Sequence, residues 1–139
     1  MAMEVSALLR RGAMAVAVGR VALGAAALAR PSIPARPWVG AVAADSVAGR
    51  VFGRALGGRD LALGLGTLTA CGRPDGAGAW IAAGVISDVL DVAVTMSAWR
   101  ELPRTGRWLV LLSAGGAAAA GAAGAISELA QGHVEPHAP

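Results

Sequence analysis

The stretch Gly78–Trp99, GAWIAAGVISDVLDVAVTMSAW, decides the fold class of this chain. A helix needs about 20 predominantly apolar residues to cross a bilayer, and this segment supplies 22. It contains no proline, and its only charges are Asp88 and Asp91. Gly84, Asp88, Asp91 and Thr95 recur at helical spacing, so they form one polar stripe on a helix otherwise clad in Val, Ile and Leu. A carboxylate near the bilayer centre costs at least roughly 2.5–3.5 kcal/mol on the insertion scale. A helix that keeps two of them needs cationic partners, a wet cavity or a chemical task.

Three further apolar stretches flank this one. Proline- and arginine-rich punctuation separates them, because proline ends helices and constrains the residue before it. The segment Arg30–Pro37, RPSIPARP, stops the first stretch; Gly72–Gly76, GRPDG, reads as a turn; Arg100–Arg107, RELPRTGR, is the last loop. The expected architecture is an all-α, integral membrane four-helix bundle with short loops. It forms a single transmembrane domain over residues 1–139, with helices at about 12–29, 50–72, 78–99 and 108–129. A polar tail, 131–139, follows. For residues 38–49 two readings stand open: an interfacial helix carrying Trp38, Val39, Val42 and Val47, or an extension of the second helix capped by Asp45 or Ser46.

Composition agrees with the membrane class. Hydrophobic residues make up 55% of the chain and charged residues 15%, against about 25% charged in soluble domains. Mean hydropathy is +0.58. All twelve basic residues are arginines, and they lie dispersed between apolar segments rather than gathered in one run, which argues against nucleic-acid binding. A single cysteine, Cys71, excludes an internal disulfide and a multi-cysteine metal site. His133 and His137 are four apart, but Pro136 breaks the tail that carries them, so no metal and no cofactor is expected. Arg10-Arg11 before an apolar run and Ala27-Leu28-Ala29 imitate a signal peptide. Arg20 within the run and Pro31 just after it argue for a retained helix.

Helix rise gives the buried charges a depth. At 1.5 Å per residue, Arg20 lies about 15 Å from Arg30, Asp60 about 15 Å from Arg50, and Asp91 about 14 Å from Arg100. Three helices thus bring charge to one layer of a core about 30 Å thick. Asp88 lies one turn away. On the second helix Gly53, Gly57, Asp60, Gly64 and Thr67 share a face. Arg59 points about 100° from Asp60, toward a different helix. Gly24, four residues after Arg20, is expected to leave room beside the guanidinium. The candidate site is therefore Asp60, Asp88 and Asp91 as acid–base groups, with Arg20 and Arg59 as binding groups. Three carboxylates against two arginines leave one over, shared between the neighbours Asp88 and Asp91 and placed to hold a proton.

These motifs resemble a known family. Gly19-Arg20 with Gly24, the stretch Ala55–Gly64 (ALGGRDLALG), and Ser87-Asp88-Val89-Leu90-Asp91 are similar to a family of small four-helix integral membrane proteins of unknown function. That family is common in actinobacteria and also occurs in fungi. The resemblance covers about residues 12–129 and places Arg20, Arg59, Asp60, Asp88 and Asp91 at its polar motif. It implies topology and no activity.

Function is then an open set of three expectations. The first is acid–base chemistry without a cofactor on a lipophilic small molecule, such as isomerisation, cyclisation or epoxide opening. The second is a structural or assembly role for a buried salt-bridge network. The third is proton-coupled transport by a homodimer. Partners follow from the surface: the lipid bilayer, and a second copy through the small-residue ridge Gly116, Ala120 and Gly124. Arginine counts put the end bearing Arg30, Arg36, Arg50, Arg54, Arg100, Arg104 and Arg107 on the cytoplasmic side of a cell membrane, with both termini outside.

Overall fold

Among the described residues, helices account for nearly every position and no strand occurs. The computed structural model describes residues 2–71 and 77–132. Six helices run in order: α1 Ala2–Ala29, α2 Ser32–Val39, α3 Ala41–Asp45, α4 Val47–Ala70, α5 Ala77–Ser97 and α6 Arg104–Gly132. The expected count of four is corrected to four long helices and two short ones. Two of the long helices also overrun their apolar cores. α1 starts ten residues before the expected position 12, and α6 starts four residues before 108. Hydropathy marks only the apolar part of a helix, and backbone hydrogen bonding continues into its polar ends. The turn expected at 72–76, the end of the tail with His133 and His137, and the packing of Gly124 lie outside the described residues.

The first short helix, α2, occupies the segment that proline was expected to keep irregular, and α3 falls within residues 38–49, where both readings expected a helix. Pro31 stands at the N-cap of α2, and Pro34 falls in its first turn, where backbone N–H groups have no helical partner anyway. Gly40 then breaks the chain at φ +86°, a left-handed value that a side chain resists. Ser46 caps α4: its hydroxyl accepts from the Gly49 amide at 2.9 Å. Of the two readings of residues 38–49, the Ser46 cap is seen, while Trp38 and Val39 fall on α2, Val42 on α3 and Val47 on α4 rather than on one helix.

A clasp closes this connector. Arg36 donates through Nη2 to both carboxylate oxygens of Asp45, at 3.1 and 2.9 Å. That pairing holds the Asp45 carboxyl below its ordinary pKa of 3.8. A depressed folded-state pKa adds stability above the ordinary value, and this is lost as pH falls through the folded-state value. The gap in melting temperature between the native chain and Asp45→Asn is thus expected to narrow as pH drops below 3.8. A gap that stays constant with pH would exclude the clasp as its source.

Packing is inverted relative to a water-soluble domain. The buried hydrophobic residues are mostly alanines, among them Ala17, Ala27, Ala44 and Ala114. Buried polar residues include Thr67, Ser87, Asp88 and Thr95. Large apolar side chains such as Leu23, Phe52, Ile86, Leu90 and Leu112 face outward. Two helical segments, Arg11–Ala29 and Ala77–Ser97, are long and apolar enough to cross a membrane. Only 17% of each is buried within the protein, which is the opposite of a soluble core helix.

α1 and α4 pack most intimately. The expected α4 face is seen: Gly53, Gly57, Gly64 and Thr67 are buried on it. A Cβ placed on Gly24 would come within 2.6 Å of both the Gly57 carbonyl oxygen and the Leu61 amide nitrogen. One on Gly64 would meet the Ala17 carbonyl oxygen at 2.7 Å. Glycines here let two backbones touch, as small residues do at membrane helix interfaces. α5 lies against the other side of α4, where the Trp80 ring covers Gly66, and Val85 of α5 meets Gly121 of α6.

Candidate functional site

Arg59 and Asp60 are consecutive on α4, so they leave the helix about 100° apart. That divergence lets one helix address two neighbours. Asp60 lies on the glycine face that draws α1 close, and its Oδ1 accepts from Arg20 Nη1 at 3.0 Å. Arg59 turns to α5 and grips Asp91 with two parallel bonds, Nη1 to Oδ1 at 2.9 Å and Nη2 to Oδ2 at 2.8 Å. This bidentate fork is the strongest geometry available to an arginine–carboxylate pair.

Arg20 continues past α4 to α5. Its Nη2 lies 2.6 Å from Asp88 Oδ1 and donates to the Gly84 carbonyl at 3.2 Å. Gly84 offers that carbonyl without a side chain in front of it. Arg59 also reaches back to Asp60 Oδ1, with Nη2 at 3.2 Å. One oxygen of Asp60 thus serves both arginines. The five charges form an unbroken series across three helices: Asp88, Arg20, Asp60, Arg59, Asp91.

The sequence-based site residues are therefore all brought together. Every aspartate holds a guanidinium, with Asp60 shared, and three carboxylates against two arginines still leave one surplus negative charge when all are ionised. Asp88 and Asp91 are neighbours on α5 yet take different arginines. The room expected beside Arg20 at Gly24 is filled by the α4 backbone. Exposure is least at the Asp88–Arg20 end and greatest at Arg59. Asp88 and Arg20 are 9% and 12% exposed, Asp91 and Asp60 18% and 21%, and Arg59 30%.

Contacts behind Asp91 were not foreseen. Thr95 is fully buried, and its hydroxyl donates to the Asp91 carbonyl at 2.7 Å. Trp38 Nε1 of α2 donates to Thr95 Oγ1 at 3.2 Å. Thr95 belonged to the visible polar stripe of α5. Trp38 entered the sequence reading only as a member of the interfacial-helix alternative, because nothing in sequence spacing links residues 57 positions apart. Ser87 Oγ, next to Asp88 in the chain, is buried without a hydrogen-bond partner among the described residues. Those residues contain no group of three or more His, Cys, Asp or Glu suited to a metal ion.

The small-residue ridge of α6 faces outward at Gly116 and Ala120, and a Cβ on Gly116 would meet nothing within 4 Å. Comparison with protein-family models, curated proteins and solved structures returns no match. The site is thus read on its own chemistry.

Proposed function

We propose that the chain is a multi-pass integral membrane protein whose Arg–Asp network locks α1, α4 and α5 into one helix arrangement. One observation carries this reading: every charge in the network has a partner inside the chain, and Asp60 Oδ1 joins the two halves. Buried ion pairs are poor sources of net stability, yet they penalise every alternative pairing that would strand a charge. An apolar exterior over a polar interior supports placement in lipid. In that placement the arginine-rich end is cytoplasmic and both termini are outside. The family resemblance of the Arg20, Arg59–Asp60 and Asp88–Asp91 motifs is part of the same proposal, as is a homodimer through the ridge Gly116, Ala120 and Gly124, of which Gly116 and Ala120 face outward.

Charge exchange tests the lock. Arg59→Asp and Asp91→Arg are each expected to lose folded protein in detergent, and the chain carrying both regains it. A double exchange no better than the single ones would overturn the lock. Recovery of the native chain in the soluble fraction after alkaline carbonate extraction would overturn the membrane placement.

A second reading rests on the charge count and on Ser87. Two arginines and three aspartates give the network a formal charge of −1 when all are ionised. A retained proton removes that charge, and an acid so placed could serve proton transfer to a lipophilic molecule whose oxygen meets the unpartnered Ser87 hydroxyl. The infrared band of a protonated carboxyl at neutral pH, absent in Asp88→Asn or Asp91→Asn, is its signature. A spectrum lacking that band removes the proton such chemistry needs.

A further inference from the structure

The end of the bundle nearest Trp38 gathers features that the network does not use. Contacts show that α2, the turn after α5 and the start of α6 meet there. A Cβ on Gly40 would stand 3.5 Å from Pro103, and one on Gly106 would collide with the Pro37 and Trp38 carbonyls. Arg36 and Arg107 are engaged locally, the first by Asp45 and the second over the Trp99 ring at 4.9 Å. Arg30, Arg50, Arg54, Arg100 and Arg104 remain exposed, with no carboxylate partner among the described residues. Arg50 and Arg54 are four apart on the first turns of α4, and they reach only the carbonyls of Asp45 and Leu28. Glu101 is the one acid nearby besides Asp45.

Apolar groups interleave with these cations. Ile33 is 56% exposed, Val42 91% and Phe52 68%, with Val47 and Val51 alongside. A dissolved phosphate would satisfy the guanidiniums and leave this apolar surface in water. A leaflet satisfies both, with the side chains at the acyl boundary and the arginines at headgroup level.

We infer that this end is a collar that binds the phosphates of anionic phospholipids in preference to zwitterionic ones. The inference rests on the membrane placement proposed above. Its physical source is charge complementarity. Among the described residues, five guanidiniums without a carboxylate partner stand against the single exposed carboxylate Glu101, and basic side chains beside an anionic surface are drawn to it.

Tryptophan fluorescence reads the collar directly, because Trp38, Trp99 and Trp108 all lie at this end and only Trp80 lies away from it. The full chain is reconstituted in phosphatidylcholine vesicles containing either brominated phosphatidylglycerol or brominated phosphatidylcholine at equal mole fraction. The brominated anionic lipid is expected to bind several-fold more tightly, as read by quenching. The preference should collapse toward unity in high salt. It should also collapse in the variant carrying Arg30→Gln, Arg50→Gln, Arg54→Gln, Arg100→Gln and Arg104→Gln. Equal quenching of the native chain by both lipids overturns the collar and leaves the membrane placement intact. Absence of quenching by both brominated lipids overturns the collar and the membrane placement together. A preference that persists in the five-site variant, or in high salt, also overturns the assignment.

Discussion

The Arg20→Met chain is expected to unfold far more readily than the native chain, with a loss of roughly 3–5 kcal/mol. Arg20 is the only cation on Asp88 and half of the cation supply of Asp60, and it also holds the Gly84 carbonyl. Methionine keeps the volume and the flexible stem while deleting the charge. It leaves Asp88, 9% exposed, without a partner, and the network moves from one surplus negative charge to two. The informative arm is the rescue. Adding Asp60→Asn and Asp88→Asn to Arg20→Met removes the stranded charges, and the remaining Arg59–Asp91 pair is neutral as a unit. Thermal unfolding in detergent should then recover more than half of the loss, although two more native residues have been removed. A triple variant no more stable than Arg20→Met would mean that Arg20 acts through packing rather than charge.

The second large effect concerns α1 against α4. Gly24→Ala adds one methyl group to a helix, a change that by propensity alone gains about 1 kcal/mol. Here the methyl would sit 2.6 Å from two backbone atoms of α4, neither of which can turn aside. The helices must separate, which also draws Arg20 away from Asp60. A net loss of about 1–3 kcal/mol is expected, as for overpacked cores. Gly58→Ala, one residue past the buried Gly57, provides the contrast. A Cβ there meets nothing within 4 Å, so the propensity gain should survive. The pair should differ in sign in one unfolding assay. Two destabilising results of equal size would refute the close approach at Gly24.

Much of this arrangement was legible in the residues themselves. A 3.6-residue period fixes direction around a helix, so the α4 face of Gly53, Gly57, Asp60, Gly64 and Thr67 could be drawn before any coordinates. Rise per residue fixes depth, so Arg20, Asp60 and Asp91 could be brought to one layer. Pairing was not legible. An arginine side chain spans enough distance that Asp88 and Asp91, one turn apart, are equally within reach of either guanidinium. The choice depends on how near α1 and α4 come, which Gly24 and Gly57 decide together. The short helix α2 escaped because three prolines read as a break, whereas Pro31 and Pro34 stand at the helix start, where little is broken, and only Pro37 falls inside it. Trp38 escaped because its partner, Thr95, is distant in sequence and close only once α2 folds across the bundle end.

The placement of two charges on α4, answered by Arg20 before it and Asp91 after it, bears on biosynthesis. As the ribosome delivers the chain in order, α4 emerges with Arg59 and Asp60 already matched on one side and unmatched on the other. Alone, it is a poor candidate for partitioning into lipid, with four ionised side chains between Arg50 and Asp60. α1 can neutralise Asp60 at once, while Arg59 waits until α5 has been synthesised. Under the membrane placement proposed here, α4 is released into the bilayer as one member of a partnership, and the completion of α5 commits the topology.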